Sequence, residues 1–220
     1  MRKVLRLAGV CAATVLAGVA AAAQRGAPAG DFDFYVLSLS WSPSYCAAEG
    51  AEANRQQCAA ARPYAFVVHG LWPQNERDYP EYCGNRQPER VPGEMVADYR
   101  DIMPSGGLMG HQWRKHGSCS GLSQSDFFAL TRKARERVKV PAEFTRIETP
   151  RMVAPQTVEE RFMSANPGLE KSGMAVTCDR RYLREVRICL TKELQFRACA
   201  AVDGKDCRRG QVLMPPARGG

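Results

Sequence analysis

From Asp31 to Trp41 the chain alternates: Tyr35, Leu37, Leu39 and Trp41 fall on one side and Phe34, Val36, Ser38 and Ser40 on the other, which predicts a strand that Pro43 closes. A second apolar run, Ala65-Phe66-Val67-Val68, leads into His69-Gly70-Leu71-Trp72-Pro73, so a strand is expected to end at His69 with a turn behind it. Residues 74–93 are rich in Asn, Pro, Gly, Arg and Glu and predict a long loop, tied down by a disulfide at Cys83. Glu94 to Met103 predicts a helix closed by Pro104, and a Gly-rich connector follows to His111.

The clearest helix is Ser123 to Val140. Ser123 caps it, Asp126 supplies the capping-box acid, and Phe127, Leu130, Ala134 and Val138 recur at helical spacing. Its other face carries Arg132, Lys133, Arg135, Arg137 and Lys139, for which a solvated face is the simpler reading and a nucleic-acid backbone stripe the sharper one. From Met174 to Ala201 the pattern returns to strands, with Val186, Ile188 and Leu190 alternating with Arg187 and Cys189, and Leu194-Gln195-Phe196 returning. No repeat, low-complexity block or linker interrupts the pattern, and one α+β domain is expected.

The first residues change the arithmetic. Arg2, Lys3 and Arg6 precede an apolar, alanine-rich run, Leu7 to Ala23, and the polar Gln24-Arg25-Gly26 follows. This is the pattern of an export signal over residues 1–23, leaving 24–220 as the mature domain. A retained membrane anchor fits the small-residue end less well, and a lipid anchor at Cys11 is disfavoured by the bulky Val10. No later apolar run is long enough to span a bilayer. The mature chain is therefore expected to be periplasmic or extracellular, without membrane contact. At 220 residues, 45% hydrophobic and 25% charged, the chain can bury one substantial core and is excluded from the disordered class. Of the nine cysteines the signal removes Cys11, and an even eight in an oxidising compartment can form four disulfides. The formal charge of +8 falls to +5, which favours a polyanionic partner without requiring one.

Chemistry concentrates in two short motifs. All three histidines lie there: His69 in Phe-Val-Val-His-Gly-Leu-Trp-Pro, and His111 and His116 in His-Gln-Trp-Arg-Lys-His-Gly-Ser-Cys. If the second motif is helical, His111, Lys115, Gln112 and His116 fall at about 0°, 40°, 100° and 140° and share one face, whereas Trp113 at about 200° points to the core. Two imidazoles and a lysine in one pocket suit phosphoryl transfer within RNA: one His takes the ribose 2′ proton and another gives a proton to the departing 5′ oxygen. DNA lacks that nucleophile. Other readings are weaker. As zinc ligands, His111 and His116 are five apart rather than the four of helical metalloprotease pairs, and Cys119 is better used in a disulfide. Buried structural histidines are the ordinary account of a lone imidazole, not of three gathered beside a lysine. A cysteine nucleophile has no unpaired candidate once eight pair.

At these two motifs the sequence resembles the ribonuclease T2 family, secreted endoribonucleases whose signatures are His-Gly-Leu-Trp-Pro and His-Glu-Trp-x-Lys-His-Gly-Thr/Ser-Cys. The resemblance extends to the Tyr35–Pro43 strand and to Val186-Arg187-Ile188-Cys189-Leu190 with its following strand. It implies an α+β fold with a central antiparallel sheet packed with helices. The implied enzyme needs no cofactor or metal and cleaves single-stranded RNA by transesterification to a 2′,3′-cyclic phosphate, with low base specificity expected; a monomer is expected as well. By motif, His69 would protonate the leaving oxygen, His116 would take the 2′ proton, His111 would hold the phosphate, and Lys115 would stabilise the transition state. Gln112 stands where the family has glutamate: an amide still hydrogen-bonds a phosphate oxygen but exchanges no proton, and its neutrality should lower the neighbouring histidine pKa. A catalytically weakened RNA-binding protein of the same fold is the alternative, and a metal-dependent phosphodiesterase a third reading. Trp72 and Tyr79 would sandwich a base with Gln74 at its edge, against a plain core role for Trp72. Ser40 stands where relatives with a defined second base site carry glutamine. The family pattern suggests Cys83–Cys119, with Cys178–Cys207 around Cys189–Cys199, and Cys46–Cys58, as the disulfides.

Overall fold

The structure, a computed structural model, describes residues 22–217 apart from 60 and 62. The expected signal lies outside the described residues except for Ala22 and Ala23. These begin strand β1 (Ala22–Arg25), which straddles the expected cleavage point and pairs in parallel with β4 (Asp78–Glu81), a strand inside the expected 74–93 loop.

The centre is a four-stranded antiparallel sheet. Strands β2 (Phe34–Trp41), β3 (Phe66–Gln74), β6 (Met174–Cys178) and β7 (Leu183–Leu190) are arranged β3-β2-β7-β6. The alternation of β2 holds as expected. Tyr35, Leu37, Leu39 and Trp41 join Val68, Leu71, Val186 and Ile188 in the main core. On the opposite face Phe34, Val36, Ala175 and Cys189 form a small second cluster with Trp72 at its edge. Burial on both faces reaches into the polar side of β2: Ser38 is fully buried, and only Ser40 near the strand end is partly exposed.

Helices cover the main core face. Helix α1 (Ser42–Glu49) starts directly after β2 with Pro43 in its first turn, where the missing N–H has no helical partner to lose. Short α2 (Arg55–Cys58), α3 (Gly93–Asp98) and α4 (Gly106–Lys115) follow. The expected helix over 94–103 is thus shorter, beginning at Gly93 and stopping at Asp98. Helix α5 (Gln124–Arg137) has its expected cap: Ser123 Oγ accepts from the Asp126 N–H at 3.1 Å and donates to the Asp126 carboxylate at 2.6 Å. It ends before Val138. On its basic face Arg132 forks onto Asp101 at 2.7 and 2.8 Å, Arg135 donates to the Val138 carbonyl at 3.0 Å and Arg137 lies over the Phe196 ring, so three of the five cations are engaged by the protein itself. Strand β5 (Arg151–Val153) pairs with β8 (Val212–Met214). Helix α6 (Pro155–Ala165) buries Val158 and Phe162 one turn apart, and α7 (Ala200–Asp203) packs beside β6 and β7.

All four disulfides implied by the resemblance are present: Cys46–Cys58, Cys83–Cys119, Cys178–Cys207 and Cys189–Cys199. Cys83–Cys119 pins the loop after β4 to the turn that ends the second motif.

Candidate active site

The first motif is built on an irregularity in β3. Ser38 of β2 pairs with Gly70 and Leu39 with Val68, so His69 is the extra residue of a β-bulge. His69 follows core-facing Val68 and so lies on the opposite face, and the bulge shifts the phase beyond it so that Leu71, three after Val68, re-enters the main core and Trp72 joins the face of His69. The strand end expected at His69 is therefore a kink inside a strand that runs on to Gln74. Gly70 is required by a close approach: a Cβ there would run into the amide oxygen of Gln112 and the indole nitrogen of Trp72.

On that face β7 presents two charged residues that the motif reading does not reach. Glu185 lies between Ser40 and Thr177, and Arg187 lies between Ser38 and Ala175. The Arg187 guanidinium donates twice to one Glu185 oxygen, at 2.7 and 2.8 Å, and the other oxygen is hydrogen-bonded to Nδ1 of His69. Burial alone would raise the Glu185 pKa, but hydrogen bonding and charge from His69, with the charge and hydrogen bond of Arg187, outweigh it and bring the value to about 2. Glu185 is thus a carboxylate that only accepts, so Nδ1 of His69 is the donor and Nε2 is the nitrogen left to face the cavity.

The second motif is helical, as its spacing requires. Ser105 caps α4 by accepting from the Leu108 N–H at 3.3 Å, and the His116 N–H closes the last turn on the Gln112 carbonyl at 2.9 Å. Trp113 is core: its indole donates to the Pro88 carbonyl at 2.8 Å and its ring packs on Phe127. The other face sends His111, Gln112, Lys115 and His116 into one cavity of about 400 Å³, together with His69, Trp72, Gln74, Tyr79 and Arg187. Every site residue read from the two motifs therefore meets in one place.

Trp72 touches both histidines of that cavity. Its ring centroid is 5.4 Å from that of His69 and 5.4 Å from that of His116, and the Arg187 guanidinium lies 5.2 Å from it. Its indole N–H donates to the Gln112 amide oxygen at 2.8 Å. Gln112 thus spends its acceptor on Trp72 and keeps its two N–H donors. His116 is 7% exposed, and its Nδ1 is buried without a hydrogen-bond partner among the described residues. Burial first, then the positive charges of Lys115, His69 and His111, push its pKa down to about 3, which favours the neutral imidazole near neutral pH. Burial and the charges of Lys115, Arg114 and His69 also lower His111. Lys115 lies 3.5 Å from Glu81 of β4, a buried carboxylate that Arg25 also approaches at 3.5 Å. Among the described residues no group of three His, Cys, Asp or Glu is arranged to hold a metal ion. Nor is any helix among them long and apolar enough to cross a membrane.

A sequence model of the ribonuclease T2 family matches residues 32–199, which contain both motifs and the Glu185–Arg187 strand. The chain belongs to the ribonuclease T2 family. Membership supports an endoribonuclease. A ribonuclease of Aeromonas hydrophila is 38% identical over 199 residues, covering 88% of this chain and 86% of its own. A probable ribonuclease of Haemophilus influenzae is 35% identical over 121 residues, half of this chain and 44% of its own. Among solved structures, the RNase-related protein from Calystegia sepium superposes with a TM-score of 0.69 at 19% identity, covering 85% of this chain and 98% of that one. RNase NT in complex with 5′-AMP superposes at 0.61 and 20% identity, over 84% and 99%. Likeness at these identities shows that the T2 fold is shared.

Proposed function

We propose that the chain is an exported, monomeric endoribonuclease that cleaves single-stranded RNA without metal or cofactor, leaving a 2′,3′-cyclic phosphate. The observation that carries this reading is the pair of imidazoles in one cavity, both against the Trp72 ring, one buried and neutral, the other backed by a carboxylate. His116 takes the 2′-OH proton as that oxygen attacks phosphorus. The bond from phosphorus to the 5′ oxygen breaks, and His69 Nε2 delivers a proton to the departing oxygen, giving a 5′-OH end. Each proton transfer of this kind is worth about 10²- to 10⁴-fold. Lys115, His111 and the free N–H groups of Gln112 hold the non-bridging oxygens as charge grows on them. Trp72 and Tyr79 take a base with Gln74 at its edge, and low base specificity follows from stacking on aromatic faces. The leaving nucleotide enters a second cavity of about 640 Å³ beyond His69, which Ser40 lines in place of the family's glutamine.

Export is supported by the basic, apolar and small-residue pattern of residues 1–23 and by four disulfides, which persist in oxidising compartments. Gln112 favours a second reading, a weakened enzyme that retains RNA. Incubating the oxidised protein with a defined RNA in EDTA, beside His69→Ala and His116→Ala, separates the two. Cyclic-phosphate ends from the parent protein alone are expected. RNA bound but intact from about pH 4 to pH 8 would replace the enzyme by the binder, and loss of cleavage in EDTA would replace it by a metal-dependent phosphodiesterase.

A further inference from the structure

Beside the histidine cavity lies a basic shelf that the two-histidine chemistry does not use. It forms around the Cys178–Cys207 disulfide, with Arg180 two residues after Cys178, Lys205 two before Cys207, and Arg208 and Arg209 directly after it. All four cations are exposed, and none pairs with a carboxylate among the described residues. The two acids in the same concavity are occupied. Asp179 accepts from the Arg181 and Tyr182 N–H groups, both at 2.7 Å, and pairs with Arg184 at 3.2 Å. Asp206 accepts from the Val176 N–H at 3.2 Å and lies 3.8 Å from Lys171.

The shelf is also fixed and connected. The disulfide, the Asp179 turn and a 2.7 Å bond from the Cys207 N–H to the Val176 carbonyl hold its backbone to the sheet. Lys205 lines both the shelf and the histidine cavity, and Thr177 and Cys178 line both the shelf and the cavity beyond His69. An anionic chain seated across the reacting site therefore passes onto fixed positive charge without crossing a ridge of acids.

We propose that this shelf binds backbone phosphates of the RNA outside the two nucleotides that flank the cut, and so makes the enzyme favour long single strands over short ones. The inference rests on the endoribonuclease reading of the histidine site.

The test uses two substrates in EDTA. One is a dinucleotide, and the other a single strand of about 12 nucleotides with one ribose at its centre, the rest being 2′-deoxy, so that only one bond can be cut. The variant Arg180→Ala/Arg208→Ala/Arg209→Ala changes only exposed side chains. On the long strand its kcat/KM should fall about tenfold at low salt. The slope of log kcat/KM against log salt should flatten by about 2, since each phosphate contact on a single strand contributes about 0.7. Dinucleotide cleavage should be unchanged, and the triple lysine variant should restore most of the long-strand rate. Equal long-strand rates for parent and alanine variant would overturn the shelf, and so would an equal fall on the dinucleotide. Loss of binding to anionic phospholipid vesicles with long-strand cleavage intact would assign the patch to a membrane surface instead. No dinucleotide cleavage by the parent protein would sink the enzyme reading itself, a result distinguishable from all of these.

Discussion

Replacing His116 by glutamine should remove much of the protein's loss of stability in acid. The ordinary histidine value is 6.5, and in the folded chain His116 is pushed down to about 3 by its burial and by Lys115, His69 and His111. A folded value below the unfolded one means that the unfolded chain takes up a proton which the folded chain refuses. The neutral side chain therefore costs nothing above about pH 6.5, and stability drains away as the pH falls from there towards 3. At about pH 4.5 the gap is about two pH units, or roughly 2–3 kcal/mol at about 1.4 kcal/mol per unit. The measurement is urea unfolding followed by tryptophan fluorescence, disulfides intact, for parent and His116→Gln at pH near 7 and near 4.5. The quantity of interest is the pH-induced loss in each protein. Whatever the substitution costs at both pH values cancels, and so do other titrating groups such as Asp206, which burial and Glu159 raise to about 6 and which works in the opposite direction. If the two proteins lose equal stability on acidification, His116 is not held neutral by the fold, and its assignment as a ready base falls with it.

Glu185→Gln removes the charge behind His69 while keeping the shape. kcat should fall by about 10²-fold with KM little changed, because the amide no longer fixes the Nδ1–H tautomer; a mere rise in KM would contradict this. Gln112→Glu keeps an oxygen for the Trp72 indole but puts a negative charge beside His116. It should raise that histidine's proton affinity and move the acid limb of the pH–rate profile upward, and an unmoved limb would show that the two do not communicate. Away from the site, Asn166 is 1% exposed and bonds the Lys139 N–H, the Lys139 carbonyl and the Phe162 carbonyl at 2.7, 2.8 and 2.8 Å. Asn166→Ala should cost roughly 1–3 kcal/mol in urea unfolding, since one buried and two partly buried backbone groups lose their partner. The paired change Cys83→Ala/Cys119→Ala opens a link between residues 36 apart and should cost about 3–4 kcal/mol by the same assay.

What the sequence discloses divides along the range of the interactions involved. The α4 face was legible because four residues within one and a half turns determine it: His111, Gln112, Lys115 and His116 need only a helix to meet. The two faces of β2 and the cap of α5 were legible for the same reason. Helix α6 was signalled as well, by Pro155 at its start and Val158 and Phe162 four apart, a pattern too short to stand out from the polar residues between them. The bulge at His69 was not legible, because a bulge is a property of two strands, and Phe-Val-Val-His-Gly-Leu-Trp-Pro reads as a strand and a turn until Leu39 and Ser38 fix the register opposite it. Nor was Glu185, which in isolation is one more polar residue in an alternating strand. It lies 116 positions from His69 and becomes part of the site only through the β2–β7 register. The motifs therefore identify which groups gather, whereas the property that sets one imidazole apart from the other depends on long-range pairing. Trp72 packs against both a histidine surrounded by cations and one backed by a carboxylate. Burial and the surrounding cations hold His116 as a neutral imidazole, and Glu185 accepts the Nδ1 proton of His69, so the two rings present different nitrogens and different surroundings to the proposed transesterification.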